Sequence, residues 1–342
     1  MLTIYSPDHQ LRSPKTELYG GELVKPFECP ERMEYVLSQI NAEKLGEVKA
    51  PSAHGLDEIY RVHDKQFIEF LQTVWEEWQA EGYKGEAIPT VFPAKGMQFR
   101  KPEHIEGKMG YYAMAIETSI SEGTWEAAHT SAQVALSAQA EIAAGKNTAF
   151  ALCRPPGHHA ASDLYGGYCF INNAAVSAQA FLDQGASRVA IIDVDFHHGN
   201  GTQSIFYDRP DVLFTSLHGD PKHAFPHFLG YADEKGTGAG EGFNHNYPLA
   251  PGTPYLTWAE ALEDACKKVT AFAPDALVIS LGVDTYEHDP ISFFKLTSDD
   301  FKRYGEIIAQ LRLPTLFVME GGYAVEEIGI NTVNVLTGFE GR

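Results

Sequence analysis

Two aspartates and a histidine close an apolar run in this chain. Val189-Ala-Ile-Ile leads into Asp193-Val-Asp195-Phe-His197-His198-Gly199-Asn200-Gly201-Thr202. A β-branched apolar run of this kind is expected as a buried parallel strand. Asp193, Asp195 and His197 alternate along it, so a period of two puts all three on one face. Two carboxylates and an imidazole buried together at a strand end require compensation. A bound cation supplies it most simply, and a hydrogen-bonded polar cluster capping the sheet is the alternative.

Three further segments repeat the pattern. The apolar run 148–153 leads into Arg154-Pro-Pro-Gly-His158-His159, the run 276–283 into Asp284, and the run 315–320 into Gly321-Gly322-Tyr323. Ligands of open α/β sheets bind outside the carboxyl ends of the strands. The rigid Pro155-Pro156-Gly157 turn would aim both histidine rings into such a site. A neutral imidazole there suits removal of a proton from water that a metal has acidified. Tyr323, behind two glycines that permit close backbone approach, is placed to donate to an oxygen that becomes negative during reaction.

The elements that must position these residues follow from the hydrophobic pattern. Met1 to Ser6 reads as a short strand, and 31–39 and 56–78 read as helices. The stretch 81–106 is rich in Gly, Pro and Lys, carries Phe92 and Phe99, and reads as a long insert loop of the kind that is usually functional or disordered. Gly110 to Ala143 reads as two helices broken at Gly123. Strands at 148–153, 188–195, 212–217, 276–283 and 315–320 then alternate with helices at 172–184, 202–208, 256–273 and 298–311. This alternation predicts an α/β fold with a central parallel sheet and helices on both faces. Neither an internal repeat nor a linker interrupts residues 1–342, which are expected to form a single domain.

Composition narrows the function. The 46 acidic residues outnumber the 26 basic ones, giving a net charge of −20. Nucleic-acid binding depends on neutralising phosphates, so this balance argues against it. It favours a cationic substrate by long-range attraction. The four cysteines lack Cys-x-x-Cys spacing, and neither a signal peptide nor a membrane-spanning apolar segment is evident. A soluble protein of the reducing cytoplasm is expected.

The motifs RPPGHHA (154–160), GGYCFINNAA (166–175), DVDFHHGNGTQ (193–203), SLHGD (216–220), LGVDTYEHDP (281–290) and EGGY (320–323) resemble those of the histone deacetylase family, which has the arginase-like fold. The similarity spans nearly the whole chain. The opening Lys15-Thr-Glu17-Leu-Tyr-Gly-Gly and the stretch Tyr83 to Glu117 resemble its bacterial branch that acts on acetylated polyamines. The resemblance implies metal-dependent hydrolysis of the acetyl amide of a small cationic acetylated amine. Lysine deacetylation on peptides or proteins is the closest alternative. An arginase-like ureohydrolase would want more Asp and His ligands, and a catalytically silent binding protein would not keep the intact machinery.

Matched onto this sequence, the family pattern makes Asp195, His197 and Asp284 the metal ligands. The family implies zinc, although an oxygen, nitrogen, oxygen set also suits iron(II), manganese or cobalt. His159 would be the general base and then the general acid, with Asn200 as its partner where some relatives carry Asp. An amide partner leaves His159 less basic than a carboxylate would, which suits a base that starts neutral. His158 would be held by Asp193, and Tyr323 would be the oxyanion donor. Gly167 would meet the substrate amide, while Tyr168 and Phe225 would wall the tunnel. Glu17, Glu106 and Glu117 are the candidates for reading an ammonium tail. A structural potassium site would use Asp193, Asp195, His197, Ser216 and Leu217, and a second monovalent site Phe206, Arg209, Val212 and Phe243. The insert loop would narrow the tunnel mouth by packing against a second subunit of a homodimer.

Overall fold

The computed structural model describes residues 1–341. Among them are ten strands: β1 (Leu2–Ile4), β2 (Glu17–Tyr19), β3 (Glu22–Val24), β4 (Val48–Lys49), β5 (Thr148–Ala151), β6 (Val189–Asp193), β7 (Val212–Gly219), β8 (Asn244–Leu249), β9 (Ala276–Leu281) and β10 (Thr315–Met319). The helices are α1 (Glu31–Ala42), α2 (Asp57–Tyr60), α3 (Lys65–Ala80), α4 (Ile105–Tyr112), α5 (Thr124–Ala143), α6 (Asn173–Asp183), α7 (Asn200–Phe206), α8 (Tyr255–Phe272), α9 (Ser298–Ala309) and α10 (Ile328–Glu340). Eight strands form one sheet in the order β4-β1-β5-β10-β9-β6-β7-β8, and every pairing in it is parallel.

Parallel strands covered on both faces must be apolar on both faces. β6 and β9 are buried at every position. Alternate residues divide between two cores. Val189, Ile191, Val278 and Val318 join Ala135 of α5 and Val176 of α6, while Ala190, Ile192, Ile279 and Phe317 join Leu262 of α8, Phe301 of α9 and Leu336 of α10. Helices on both faces of a parallel sheet are the architecture expected from the sequence.

The corrections are local. The expected strand 188–195 stops at Asp193, because its own carboxylate accepts the N–H of Asp195 at 3.1 Å and turns the chain. The helix expected over 56–78 is two helices, since the Asp64 carboxylate accepts from the N–H groups of Gln66 and Phe67 and starts α3 afresh. The break at Gly123 is real, but residues 113–123 around it are not helical. The hairpin β2–β3, the edge strands β4 and β8, and α10 had no counterpart in the pattern. Residues 81–104 carry no helix, and Phe99 stacks on Tyr111 of α4 at 4.6 Å. No helix among the described residues is long and apolar enough to cross a membrane.

His63, between α2 and α3, couples the fold to pH. Its buried Nε2 accepts the N–H of Asn172 at 2.9 Å, just before α6. Burial pushes its pKa down from 6.5 to about 4. An unfolded chain therefore binds this proton more readily than the folded one, and stability is lost as pH falls from 6.5 towards 4. The thermal midpoint should drop between about pH 7 and about pH 5, and His63→Gln, which keeps an acceptor but no titrating ring, should flatten that slope. An unchanged slope in the variant would assign the pH dependence to other groups.

Candidate active site

The four strand ends that carry the polar motifs belong to β5, β10, β9 and β6, which are consecutive in the sheet. Their carboxyl ends therefore open onto one place. Asp195, His197 and Asp284 meet there, all buried, with one ligand atom from each within 4.8 Å of the others. Nδ1 of His197 stands 2.9 Å from Oδ2 of Asp284 and 3.4 Å from Oδ1 of Asp195. Ligand bonds of about 2.0–2.2 Å in a tetrahedron place donor atoms about 3.3 Å apart, so the cluster fits a zinc-sized ion. The electrostatics agree. Burial and the neighbouring Asp195 carboxylate push Asp284 up to about 8, the signature of paired acids that want a cation between them.

Backbone donors hold these ligands in place. Asp195 accepts from the N–H groups of His197 at 2.8 Å and Gly321 at 2.7 Å, and Asp284 accepts from that of Phe196 at 2.8 Å. A Cβ on Gly321 or Gly282 would run into the Asp195 carboxylate, so both glycines are required by this close approach.

His158 and His159 lie beside the cluster with ring centroids 4.1 Å apart. His158 Nδ1 donates to Asp193 at 3.0 Å, and His159 Nδ1 donates to Asn200 Oδ1 at 2.6 Å. Asn200 spends its Nδ2 on the His159 carbonyl at 3.3 Å, which fixes Oδ1 as the atom facing the ring. His159 thus carries its proton on Nδ1 and presents a bare Nε2. Their environments push the two rings apart. Burial would lower His158, but Asp195 and Asp193 outweigh it and raise its pKa well above the ordinary value. Burial lowers His159 well below that value, with His158 and His197 adding to the push. A charged, carboxylate-held histidine thus stands beside a neutral one, and the neutral ring is the one able to accept a proton.

A cavity of about 340 Å³ leads to this point, walled by Glu17, Glu117, His159, Gly167, Tyr168, His197, Phe225 and Tyr323 among others. Phe225 stands edge-on to His159 at 5.1 Å, and Tyr168 stands edge-on to Tyr323 at 5.6 Å. A Cβ on Gly167, which has φ +55, would strike the His159 ring. The Gly167 N–H is given to Glu117 at 2.8 Å. Glu17 is buried and accepts from the Tyr168 hydroxyl at 2.6 Å, so it braces the wall as well as lining it. Glu106 lies elsewhere. It sits half-exposed in the first turn of α4 beside His104, away from the cavity wall of this chain.

Some wall residues had no sequence signal: His223 and His227 on the loop after β7, and Ile291 and Phe293 after β9. A buried brace behind the site also went unread. Glu28 receives Arg154 at 2.7 Å and Arg32 at 3.0 Å, with Arg12 at 3.8 Å. Burial would raise Glu28, but Arg154, Arg32 and Arg12 hold it down at about 2. Arg32 then donates to the carbonyls of Glu320 at 2.6 Å and Gly322 at 2.7 Å, fixing the turn that presents Tyr323. Asp289 completes it by accepting the N–H of Tyr323 at 2.7 Å. Near the ends of β6 and β7, Asp193 pairs in register with Ser216, so two of the residues expected around a potassium ion are neighbours. Of the residues expected at the second monovalent site, Arg209 gives its N–H to the Phe206 carbonyl, and the Phe243 carbonyl accepts the Phe214 N–H, two residues after Val212 on β7.

Fold and cluster together define the class. The family model of the histone deacetylase domain matches residues 26–339, and the chain belongs to that family. Within it, the chain is 59% identical over 341 residues to the acetylpolyamine amidohydrolase of Mycoplana ramosa, covering 100% of both chains. It is 58% identical over 341 residues to acetylpolyamine amidohydrolase 2 of Pseudomonas aeruginosa, covering 100% of this chain and 99% of that one. The crystal structure of acetylpolyamine aminohydrolase from Burkholderia pseudomallei matches with a TM-score of 0.94 at 41% identity, covering 99% of this chain and 98% of that one.

Proposed function

We propose that this chain is a metal-dependent amidohydrolase that removes the acetyl group from acetylated polyamines, releasing acetate and the free amine. The observation that carries this reading is one cavity that joins a buried Asp195–His197–Asp284 cluster, a neutral His159 and Tyr323 to two wall carboxylates, Glu17 and Glu117. Full-length relatives named for acetylpolyamines support the substrate class.

Asp195, His197 and Asp284 would hold zinc, for which iron(II), manganese or cobalt could substitute. Such an ion, when bound, polarises the acetyl carbonyl and acidifies water. His159 Nε2 takes the proton of the attacking water as the new C–O bond forms. It returns that proton to the amine nitrogen as the C–N bond breaks. Burial keeps Tyr323 protonated well beyond the ordinary tyrosine range even against the pull of Arg32, so its hydroxyl stays a donor for the oxyanion. His158, charged and pinned to Asp193, supplies field rather than a proton. Asp193 and Ser216 would hold a structural potassium ion behind the site, with Phe206, Arg209, Val212 and Phe243 around a second. The exposed Met97 and Phe99 make the insert loop the surface that a second subunit would cover, and Glu106 would act at that shared mouth.

Glu117→Gln tests the substrate class, because the amide oxygen still accepts the Gly167 N–H and only the charge is lost. We expect kcat/KM on an acetylated diamine to fall roughly tenfold, the scale of one charged hydrogen bond. A neutral acetyl amide of similar length should be nearly unaffected. Equal losses on both would mean that Glu117 only positions the wall. A parent enzyme that prefers acetyl-lysine peptides would replace the polyamine reading with a lysine deacetylase.

A further inference from the structure

Beneath the hydrolytic cluster lies a second set of ligand atoms with no shared role in the reaction. His158, Cys169 and Glu320 are all buried, and one ligand atom from each lies within 4.8 Å of the others. They arrive on three segments: the turn after β5, the loop before α6 and the end of β10. Glu320 spends Oε2 on the N–H groups of Gly157 at 2.7 Å and His158 at 3.1 Å. Its Oε1 is buried with no partner at all. A buried carboxylate oxygen without a donor is unfavourable. Burial, with Asp193 and Asp195 adding to it, pushes Glu320 up to about 7. Cys169 Sγ meets the Gly167 carbonyl at 3.3 Å and the backbone N–H of His159. His158 has committed Nδ1 to Asp193, which leaves Nε2.

We propose that His158 Nε2, Cys169 Sγ and a Glu320 carboxylate oxygen form a second, inhibitory site for a thiophilic divalent cation of the zinc or cobalt type. Nitrogen, thiolate and carboxylate are ligands that such ions accept and that magnesium and calcium do not favour. The site is weaker than the first. Ligand bonds of about 2.0–2.3 Å need donor atoms about 3.3–3.8 Å apart, so atoms spread over as much as 4.8 Å must close up. The first site already holds His197 2.9 and 3.4 Å from its carboxylate partners. Binding replaces the S–H proton of Cys169 and the Nε2 proton of the charged His158 with bonds to the metal, and both protons leave to solvent. The ion takes the place of the Nε2 proton, so the charged His158 that faces Asp195 at 3.8 Å, and stands 4.1 Å from the His159 ring, is lost to the reaction together with the field it supplies.

The test titrates metal-free, full-length protein with Co2+ while following absorbance, pH and hydrolysis of an acetylated diamine. The first equivalent should restore turnover without a thiolate band, because its ligands are oxygen and nitrogen. A weaker second equivalent should bring a near-ultraviolet thiolate-to-cobalt charge-transfer band and release protons, from Cys169 and from His158. Turnover should then fall about a hundredfold, the scale of general acid–base catalysis. Cys169→Ser and Glu320→Gln should each lose the second equivalent and the band while keeping the first. Binding of one equivalent only, a second without the band, or a band that persists in Cys169→Ser overturns the proposal. Should both variants misfold, absence of the band in the parent protein still overturns it. The activity arm rests on the proposed hydrolysis. If the first equivalent restores no turnover, that reading fails, while stoichiometry and band still decide this one.

Discussion

Replacing Asp195 by alanine should leave the protein without its catalytic ion and reduce amide hydrolysis to background. This is the largest effect we expect from a single substitution. Asp195 is one of three convergent candidate ligands, and its loss would strand His197 and Asp284 as an incomplete pair. It also removes the acceptor for the N–H groups of His197 and Gly321, so the turn before Tyr323 loses its anchor to β6. Two effects are therefore mixed in this variant, and chelation separates them. The parent protein stripped of metal keeps every protein hydrogen bond; it should lose turnover and regain it when zinc or cobalt is restored. Metal content measured by mass spectrometry beside steady-state rates makes the comparison. A stripped parent that hydrolyses at full rate would end the metallohydrolase reading.

The position of the candidate site was legible because parallel strands announce themselves. Runs such as Ala276–Leu281 are apolar on both faces, and the polar residue that ends each run must lie at the rim. That four such ends stand side by side depends on the sheet order, which no local pattern encodes. Asp193 shows the limit of periodicity. The alternation of Asp193, Asp195 and His197 pointed to one face of a strand, yet the strand had already ended, and a carboxylate-capped turn gathers the three residues instead. β8 was missed because its inward residues are not apolar. Asn244 and Asn246 are buried by donating to Gln203, a residue some forty positions away, so burial there is paid for by hydrogen bonds that hydropathy does not see. The Glu28 brace is hidden for the same reason: Arg154 is 126 residues from its partner. Glu106 is a different case. It was grouped with Glu17 and Glu117 through the family resemblance, and the first turn of α4 places it outside the lining of the cavity of its own chain, so any role there depends on a second subunit.

Tyr323→Phe should lower kcat by about two to three orders of magnitude, the usual consequence of losing one oxyanion donor. KM and metal content should change little, because the interaction is made in the transition state and the ligands are untouched. The structure makes this substitution unusually clean. The tyrosine is positioned through its backbone, which donates to Asp289 at 2.7 Å, and through its ring, which lies 5.0 Å from the Arg32 guanidinium and edge-on to Tyr168. Phenylalanine keeps all three contacts and deletes only the hydroxyl. The turn itself is held from behind by Arg32 on the carbonyls of Glu320 and Gly322, so no collapse of the loop is expected to confuse the result. A Phe variant that turns over at the parent rate with its ion in place would remove Tyr323 from the reaction. The oxyanion would then have to be stabilised by the ion and by His158, whose positive charge Asp193 and Asp195 sustain.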